Sequence, residues 1–416
     1  MLEAYDEAAT RVSWPGFVPA DIPLVLYDDD HTYLMRHPAP PEPFTAMRGG
    51  DGAAVADTLL PGMRANTDVD LAGVRTAVAR VVAEADHWDA SRTAARLLHE
   101  AFHAYQTGAH PEWTANEVDL FTYPFRPARL LQLRRLEGGA LRRAITAPDS
   151  VRELCWAQAF LRTRSERFGR LPGEARAYER SSELREGLAR YVEALALGTD
   201  PQIPADGFLP EDVRERAYET GHAQAVLLDR LAPSWKRALS DSGADASLHA
   251  LLDEAIGAVE VRRCAASPDE VARALAVARS DSAALADRDR RALSAFEGAA
   301  GWSVEVTAER ERPLQPERFD PLNVRVLDAR TVLHGRWVVV SNESISAEAL
   351  DRDALTRGLP GHPLFAGLDR FLVTGLREPE VTRSGDTVRI VGDGLTVTAV
   401  GATLDRDGQR IRVVGG

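Results

Sequence analysis

Leu97-Leu-His-Glu-Ala-Phe-His-Ala-Tyr-Gln106 is the stretch around which the rest of the chain is organised. Its apolar residues recur at helical intervals, and Asp89 or Ser91 can cap the helix that they predict. On that helix, His99 and His103 project from one face about one turn apart. Imidazoles in this spacing are typical of a zinc site, because zinc binds neutral imidazole nitrogens. The alternative is a structural pair of histidines buried in the core.

A catalytic zinc site needs more than two histidines. In such sites three protein ligands leave one coordination position for a water, whose pKa falls to about 7. Glu100 directly follows the first histidine and is predicted to be the general base that takes the proton of this water. A third ligand must come from elsewhere in the chain.

The best candidates for that ligand lie in one acidic segment, residues 178–193. Glu179, Glu183, Glu186 and Glu193 recur at intervals of four, three and seven residues, so all of them lie near one face of a predicted helix. By itself, this pattern is more typical of a solvated acidic face.

The end of this segment, Glu186-Gly-Leu-Ala-Arg-Tyr-Val-Glu193, resembles a known ligand segment. It is similar to the helix that supplies the glutamate ligand in gluzincin zinc metallopeptidases, including the aminopeptidase-N-like group, where it follows His-Glu-x-x-His. The resemblance implies a zincin-like catalytic region and one zinc ion. Its implied ligands are His99, His103 and Glu186. Glu137 is the rival third ligand, and Glu183 is the next.

A looser similarity concerns Tyr218-Glu-Thr-Gly221, which resembles the Tyr-Glu-Lys-Gly segment whose tyrosine steadies the oxyanion in the same family. The resemblance implies this role for Tyr218, and His222, one helical turn further on, can share or replace it. Ordinary helix packing is the alternative for both residues. The chain has no Gly-x-Met-Glu-Asn sequence of the kind that binds the substrate's amino terminus in those aminopeptidases, so the resemblance does not extend to aminopeptidase specificity.

These residues together predict a zinc-dependent metallopeptidase that hydrolyses peptide bonds by means of a zinc-bound water, with Glu100 as general base. The expected partner is a peptide or protein substrate. Two alternatives remain open: a catalytically inactive zincin-like scaffold or interaction protein, and a zinc hydrolase that acts on a non-peptide substrate.

Hydrophobic periodicity predicts an α+β chain in three parts. Residues 1–88 are expected to form a small N-terminal sheet, with strands at Ile22–Tyr27 and Thr32–Met35 and a strand or hairpin at 68–82. Residues 89–298 are expected to be helical, with a helix near 128–145, another that starts at Pro148, and helices near 174–198, 210–232 and 268–298. Residues 302–416 are expected to form a β-rich domain, and the boundary is predicted near 299–315.

Composition limits the function classes. The chain has 416 residues and a net charge of −13, which argues against nucleic-acid and membrane partners, because both favour a basic surface. Cys155 and Cys264 are the only two cysteines and are predicted to be small buried hydrophobic residues rather than a disulfide. The N-terminus has no signal-peptide pattern, so a cytoplasmic location is expected, and export by a route that the sequence does not reveal is the alternative. The sequence predicts no oligomeric state.

Overall fold

The fold comes from a computed structural model that describes residues 1–47, 52–60, 65–81, 89–257 and 263–415. It has an N-terminal sheet, a central helical region and two C-terminal sheets, which confirms the α+β class. The chain divides into two compact units. The first comprises Met1–Leu120 and Pro124–Arg279, and the second comprises Phe121–Tyr123 and Ser280–Gly416. The division at Arg279 lies before the boundary expected at 299–315.

Ten helices are present in the described residues. They are α1 Leu2–Ala9, α2 Ala90–Ala109, α3 Ala128–Ile145, α4 Ser150–Phe168, α5 Gly173–Ser182, α6 Leu188–Leu197, α7 Val213–Leu231, α8 Trp235–Asp241, α9 Leu248–Ile256 and α10 Pro268–Glu297. Short 3₁₀ helices lie at Pro19–Asp21, Glu117–Thr122, Gly243–Asp245 and Pro321–Asn323. The sequence did not predict α1, α8 or α9, because each of these helices is too short to show a clear helical period.

The sheet of the first unit has six strands in the order β3-β4-β2-β1-β6-β5. They are β1 Leu24–Tyr27, β2 Thr32–Met35, β3 Thr45–Ala46, β4 Ala54–Ala56, β5 Thr67–Leu71 and β6 Val74–Arg80. Only β1 and β6 pair in parallel. Successive side chains of β1 lie alternately in two apolar clusters. One of these clusters also includes buried residues of the helices. The hairpin predicted at 68–82 corresponds to β5 and β6, although residue 82 lies outside the described residues.

Helix α2 packs on this sheet against β6 and against α6 on its other side. It begins where the Asp89 side chain accepts hydrogen bonds from the backbone N–H groups of Ser91 and Arg92, both at 3.0 Å. Asp89 is therefore the N-cap. Leu97, Leu98, Ala101 and Phe102 are all fully buried, so the helix is held firmly within the core of the unit.

A π-helical segment, Glu183–Gly187, joins α5 to α6. It lies very close to α7: a Cβ atom placed on Gly187 would be 2.6 Å from the Cα atom of Gly221. Only glycine at both positions allows this approach. The predicted helix at 174–198 therefore consists of three consecutive segments, which are α5, the π-helical segment and α6. Short π-helical segments are frequent at functional sites.

The two cysteines form a disulfide that joins α4 to the segment before α10, with a Cα–Cα distance of 5.4 Å. The prediction that Cys155 and Cys264 are separate buried residues was therefore wrong. The fold brings together two residues 109 positions apart, and no local sequence pattern records that proximity.

The second unit contains two sheets around one apolar core. Its strands are β7 Trp302–Thr307, β8 Gln315–Phe319, β9 Val324–Val326, β10 Thr331–His334, β11 Trp337–Ser341, β12 Ile345–Leu350, β13 Ala354–Gly358, β14 Leu368–Leu376, β15 Glu380–Ser384, β16 Thr387–Gly392, β17 Leu395–Val400, β18 Thr403–Asp407 and β19 Arg410–Val414. The sheet orders are β18-β19-β7-β14-β13-β10-β9 and β15-β16-β17-β12-β11-β8. Alternating burial along β12 and β17 is that expected of strands with one face in the core.

Within the described ranges, no helix has both the length and the apolar character needed to cross a lipid bilayer.

Candidate metal centre

Three side chains from two parts of the chain converge beside α2. His99 and His103 come from α2, and Glu186 comes from the π-helical segment. The two imidazole Nε2 atoms are 3.1 Å apart, and the Glu186 Oε2 atom is 3.8 Å from the first and 3.3 Å from the second. All three residues are buried. Among the described residues, this is the one group of three His, Cys, Asp or Glu side chains whose ligand atoms lie close enough to hold one metal ion.

Each histidine is also held from its other ring nitrogen. The Nδ1 atom of His99 lies 3.2 Å from Glu193 Oε2, and the Nδ1 atom of His103 lies 2.9 Å from Gln106 Oε1. The orientation of the Gln106 amide is fixed, because its Nε2 atom donates to the carbonyl oxygen of Leu184 at 2.8 Å. Both partners are hydrogen-bond acceptors, so we assign a proton to each Nδ1, and each Nε2 atom faces the site. Outer partners of this kind typically orient metal-binding histidines.

This arrangement fits a cation. The Nε2 atoms of His99 and His103 and the Oε2 atom of Glu186 lie within 3.8 Å of one another, so a single cation could contact all three. Burial opposes the charged form of His99, but hydrogen bonds to Glu186 and Glu193 raise the pKa of its ring to about 10. Burial lowers the pKa of His103. The donor set of two imidazoles and one carboxylate is one that zinc binds in catalytic sites.

Glu100 lies on the same helix and is also buried, with 5% of its surface exposed. Burial raises the pKa of its carboxyl group to about 7, and the Glu186 charge acts in the same direction. A carboxyl group with a pKa near neutrality can both accept and return a proton, which is the property required of a general base.

Tyr218 and Arg214, both on α7, lie on the other side of the site. The Tyr218 ring stacks on the His99 ring with centroids 6.0 Å apart and an interplanar angle of 16°. Burial and the Glu186 charge raise the pKa of Tyr218, so its hydroxyl stays protonated and can donate. Arg214 donates to Glu186 Oε1 at 2.9 Å, which leaves Oε2 directed at the histidines.

His222 lies one turn further along α7 but is placed differently. Its ring packs against Tyr191, and its Nδ1 atom is 3.9 Å from Glu219 Oε2. Burial lowers the pKa of His222 to about 4, so the ring is neutral. It is not a member of the group formed by His99, His103 and Glu186.

The two rival ligands belong to a separate structure, which we call the arginine cluster. It consists of three arginines and three glutamates, all buried: Arg164, Arg167, Arg216, Glu137, Glu179 and Glu183. Glu137 accepts hydrogen bonds from all three arginines. Glu183 accepts from Arg164 at 2.5 Å and from the Thr220 hydroxyl at 2.7 Å. The carboxylates of both rival ligands are thus occupied by guanidinium groups.

Sequence reasoning missed Gln106 and Arg214 and gave Glu193 only as part of an acidic face. Local spacing carries a signal for two of them, because Gln106 lies three residues after His103 and Arg214 lies four residues before Tyr218 on one helix. Glu193 is seven residues after Glu186. This interval spans about two helical turns, so both side chains are expected on one face of a helix.

No protein-family model, curated protein or solved structure matches the chain. Any functional assignment therefore depends on the residues and their geometry.

Proposed function

We propose that the first unit is a zincin-like catalytic domain and that the protein is a zinc-dependent hydrolase of peptide bonds. The observation that carries the proposal is the convergence of His99 Nε2, His103 Nε2 and Glu186 Oε2, each of them oriented by an outer partner. A carboxylate next to the first histidine supports catalysis rather than a purely structural metal. The His-Glu-x-x-His helix on a small sheet agrees with the resemblance to gluzincins.

A zinc ion held by these three residues would polarise the substrate carbonyl and acidify a water molecule. In the proposed reaction Glu100 takes a proton from the attacking water and later delivers it to the leaving amine. Tyr218 keeps its hydroxyl proton and donates a hydrogen bond to the developing oxyanion. Glu193, Gln106 and Arg214 hold the three ligands in place. His222 packs beside Glu219 and Tyr191, and we assign the oxyanion role to Tyr218 alone.

The disulfide bears on where this reaction takes place. Disulfides persist mainly in oxidising compartments, and glutathione and thioredoxin keep cytosolic thiols reduced. We therefore propose an oxidising environment for the protein in place of the cytoplasmic location expected from the sequence.

The experiment that tests the proposal is a hydrolysis screen on mixed peptides and simple esters, with and without a chelator. The parent protein loaded with zinc is compared with the Glu100→Gln variant and with a matched control, Glu215→Gln, which changes an exposed carboxylate on α7. We expect chelator-sensitive peptide hydrolysis that falls about 10²- to 10⁴-fold in Glu100→Gln, with zinc binding retained and the control unaffected.

Three results would contradict the proposal in different ways. A Glu100→Gln variant that binds zinc and cleaves at the parent rate refutes the role of Glu100. Zinc binding without any hydrolysis favours the scaffold alternative. Cleavage of esters but of no peptide favours a non-peptide substrate.

A further inference from the structure

A cleft of about 570 Å³ lies in the first unit between α4, α5 and α9. This volume is in the range of small-molecule binding sites. One wall is apolar and includes Leu161, Phe168 and Ile256. The arginine cluster adjoins the cleft, because Arg164 belongs to both.

The charges that line the cleft are mostly positive, in a chain whose net charge is −13. Arg162, Arg164 and Arg180 line it, and Asp253 is the one acidic side chain among the described lining residues. The arginines repel one another: burial and then the charge of Arg164 lower the pKa of Arg180. Because Glu137 and Glu183 pair with Arg164, the positive potential of the cleft comes from Arg162 and Arg180, and a bound anion would relieve it.

Two of these arginines are available to a ligand. Arg180 has no ion pair within the part of the chain that the structure describes, and its guanidinium lies over the Phe168 ring, 5.6 Å from the ring centroid. Arg162 donates to the carbonyl oxygen of Cys264 at 2.9 Å and is paired with no carboxylate of the described ranges. Both residues are exposed, so their guanidinium groups can turn towards a molecule in the cleft.

Arg164 also lines the cleft, but two buried carboxylates balance its charge. It is 1% exposed, and Glu137 and Glu183 hold its two terminal nitrogens at 3.1 and 2.5 Å. Its Nε atom is buried and has no hydrogen-bond partner among the described residues. The guanidinium lies 4.7 Å from the centroid of the Phe168 ring, and the His249 ring meets the same phenyl ring at 5.5 Å.

We propose that this cleft binds a small organic anion, whose phosphate or carboxylate group is held by Arg162 and Arg180. Guanidinium groups bind both kinds of oxyanion in bidentate fashion, which suits a ligand with several charges. The apolar wall at Leu161 and Phe168 accommodates the carbon skeleton of such a ligand. The site is independent of the metal centre and of the hydrolase proposal.

The test measures binding of pyrophosphate and of citrate to the full chain by calorimetry, with sodium chloride at equal ionic strength as the reference. The variants are Arg162→Ala and Arg180→Ala. The matched control is Arg152→Ala, which removes an exposed arginine from the same helix α4 but outside the cleft. Unfolding curves without anion show whether each variant retains the parent fold.

We expect saturable binding of at least one of the two anions, weakened about tenfold or more by Arg180→Ala and left unchanged by Arg152→Ala. Tighter binding of pyrophosphate identifies a phosphate ligand, and tighter binding of citrate identifies a carboxylate ligand. The proposal is overturned when neither anion binds saturably, or when the control variant weakens binding as much as Arg180→Ala does.

Discussion

Two buried groups of charged residues lie side by side in the helical region, and they differ in the kinds of atom that they bring together. In the arginine cluster three carboxylates meet three guanidinium groups, and the cluster needs nothing from outside. In the metal centre two imidazole nitrogens and one carboxylate oxygen converge, and these are atoms of the kind that bind a metal ion. The comparison teaches that burial of charged residues alone does not indicate function. A site for a metal ion is recognised by ligand atoms that converge on one point.

The two groups are linked through one stretch of chain. Glu179 and Glu183 belong to the arginine cluster, and Glu186 belongs to the metal centre. The π-helical segment Glu183–Gly187 carries the change from one group to the other. The arginine cluster thus holds in place the backbone that presents Glu186.

The largest effect on stability is expected when one carboxylate of the arginine cluster loses its charge. Glu137→Gln removes a carboxylate that three buried arginines share and leaves a buried positive charge uncompensated. We expect a loss of about 3–5 kcal/mol in the free energy of unfolding, measured by urea denaturation. The control Glu166→Gln removes a partner of the exposed Arg170 and should cost no more than about 1 kcal/mol. Equal losses in the two variants would show that the cluster is not the ionic unit described here.

The disulfide tests the support of the arginine cluster separately from the metal centre. Cys155 lies on α4, and this helix supplies two of the three arginines of the cluster. Replacement of both cysteines by alanine should lower the free energy of unfolding by about 2–4 kcal/mol without a change in zinc affinity. Thiol titration of the unfolded, unreduced parent protein provides the direct check. Two reactive thiols in that titration would refute the disulfide.

A smaller effect is expected at the outer partner of His99. Glu193→Gln keeps the shape of the side chain but removes the charge that holds Nδ1–H. We expect zinc affinity to fall about 10- to 100-fold, measured by competition with a chelator. Glu215→Gln, an exposed change on α7, serves again as the control. An unchanged affinity in Glu193→Gln would mean that this hydrogen bond does not orient the ligand.

The sequence predicted those features that local spacing records. The pairing of His99 and His103 on one helix follows from their interval of four residues, and α3 and β2 lie at the predicted positions. The resemblance to gluzincins implies Glu186 as the third ligand, and the structure places it beside both histidines. The same acidic face contains Glu179 and Glu183, and spacing alone could not show that arginines from α4 and α7 neutralise them. The disulfide and the π-helical segment depend on contacts between distant parts of the chain, which periodicity does not record.

The most direct measurement is zinc binding by metal-depleted protein, for the parent chain and for Glu186→Gln. The account predicts one zinc ion per parent chain, and a large loss of affinity in the variant while its circular dichroism stays that of the parent. A parent protein that binds no zinc, or a folded Glu186→Gln variant that binds it as tightly, would contradict the assignment of His99, His103 and Glu186 as the ligands of one ion.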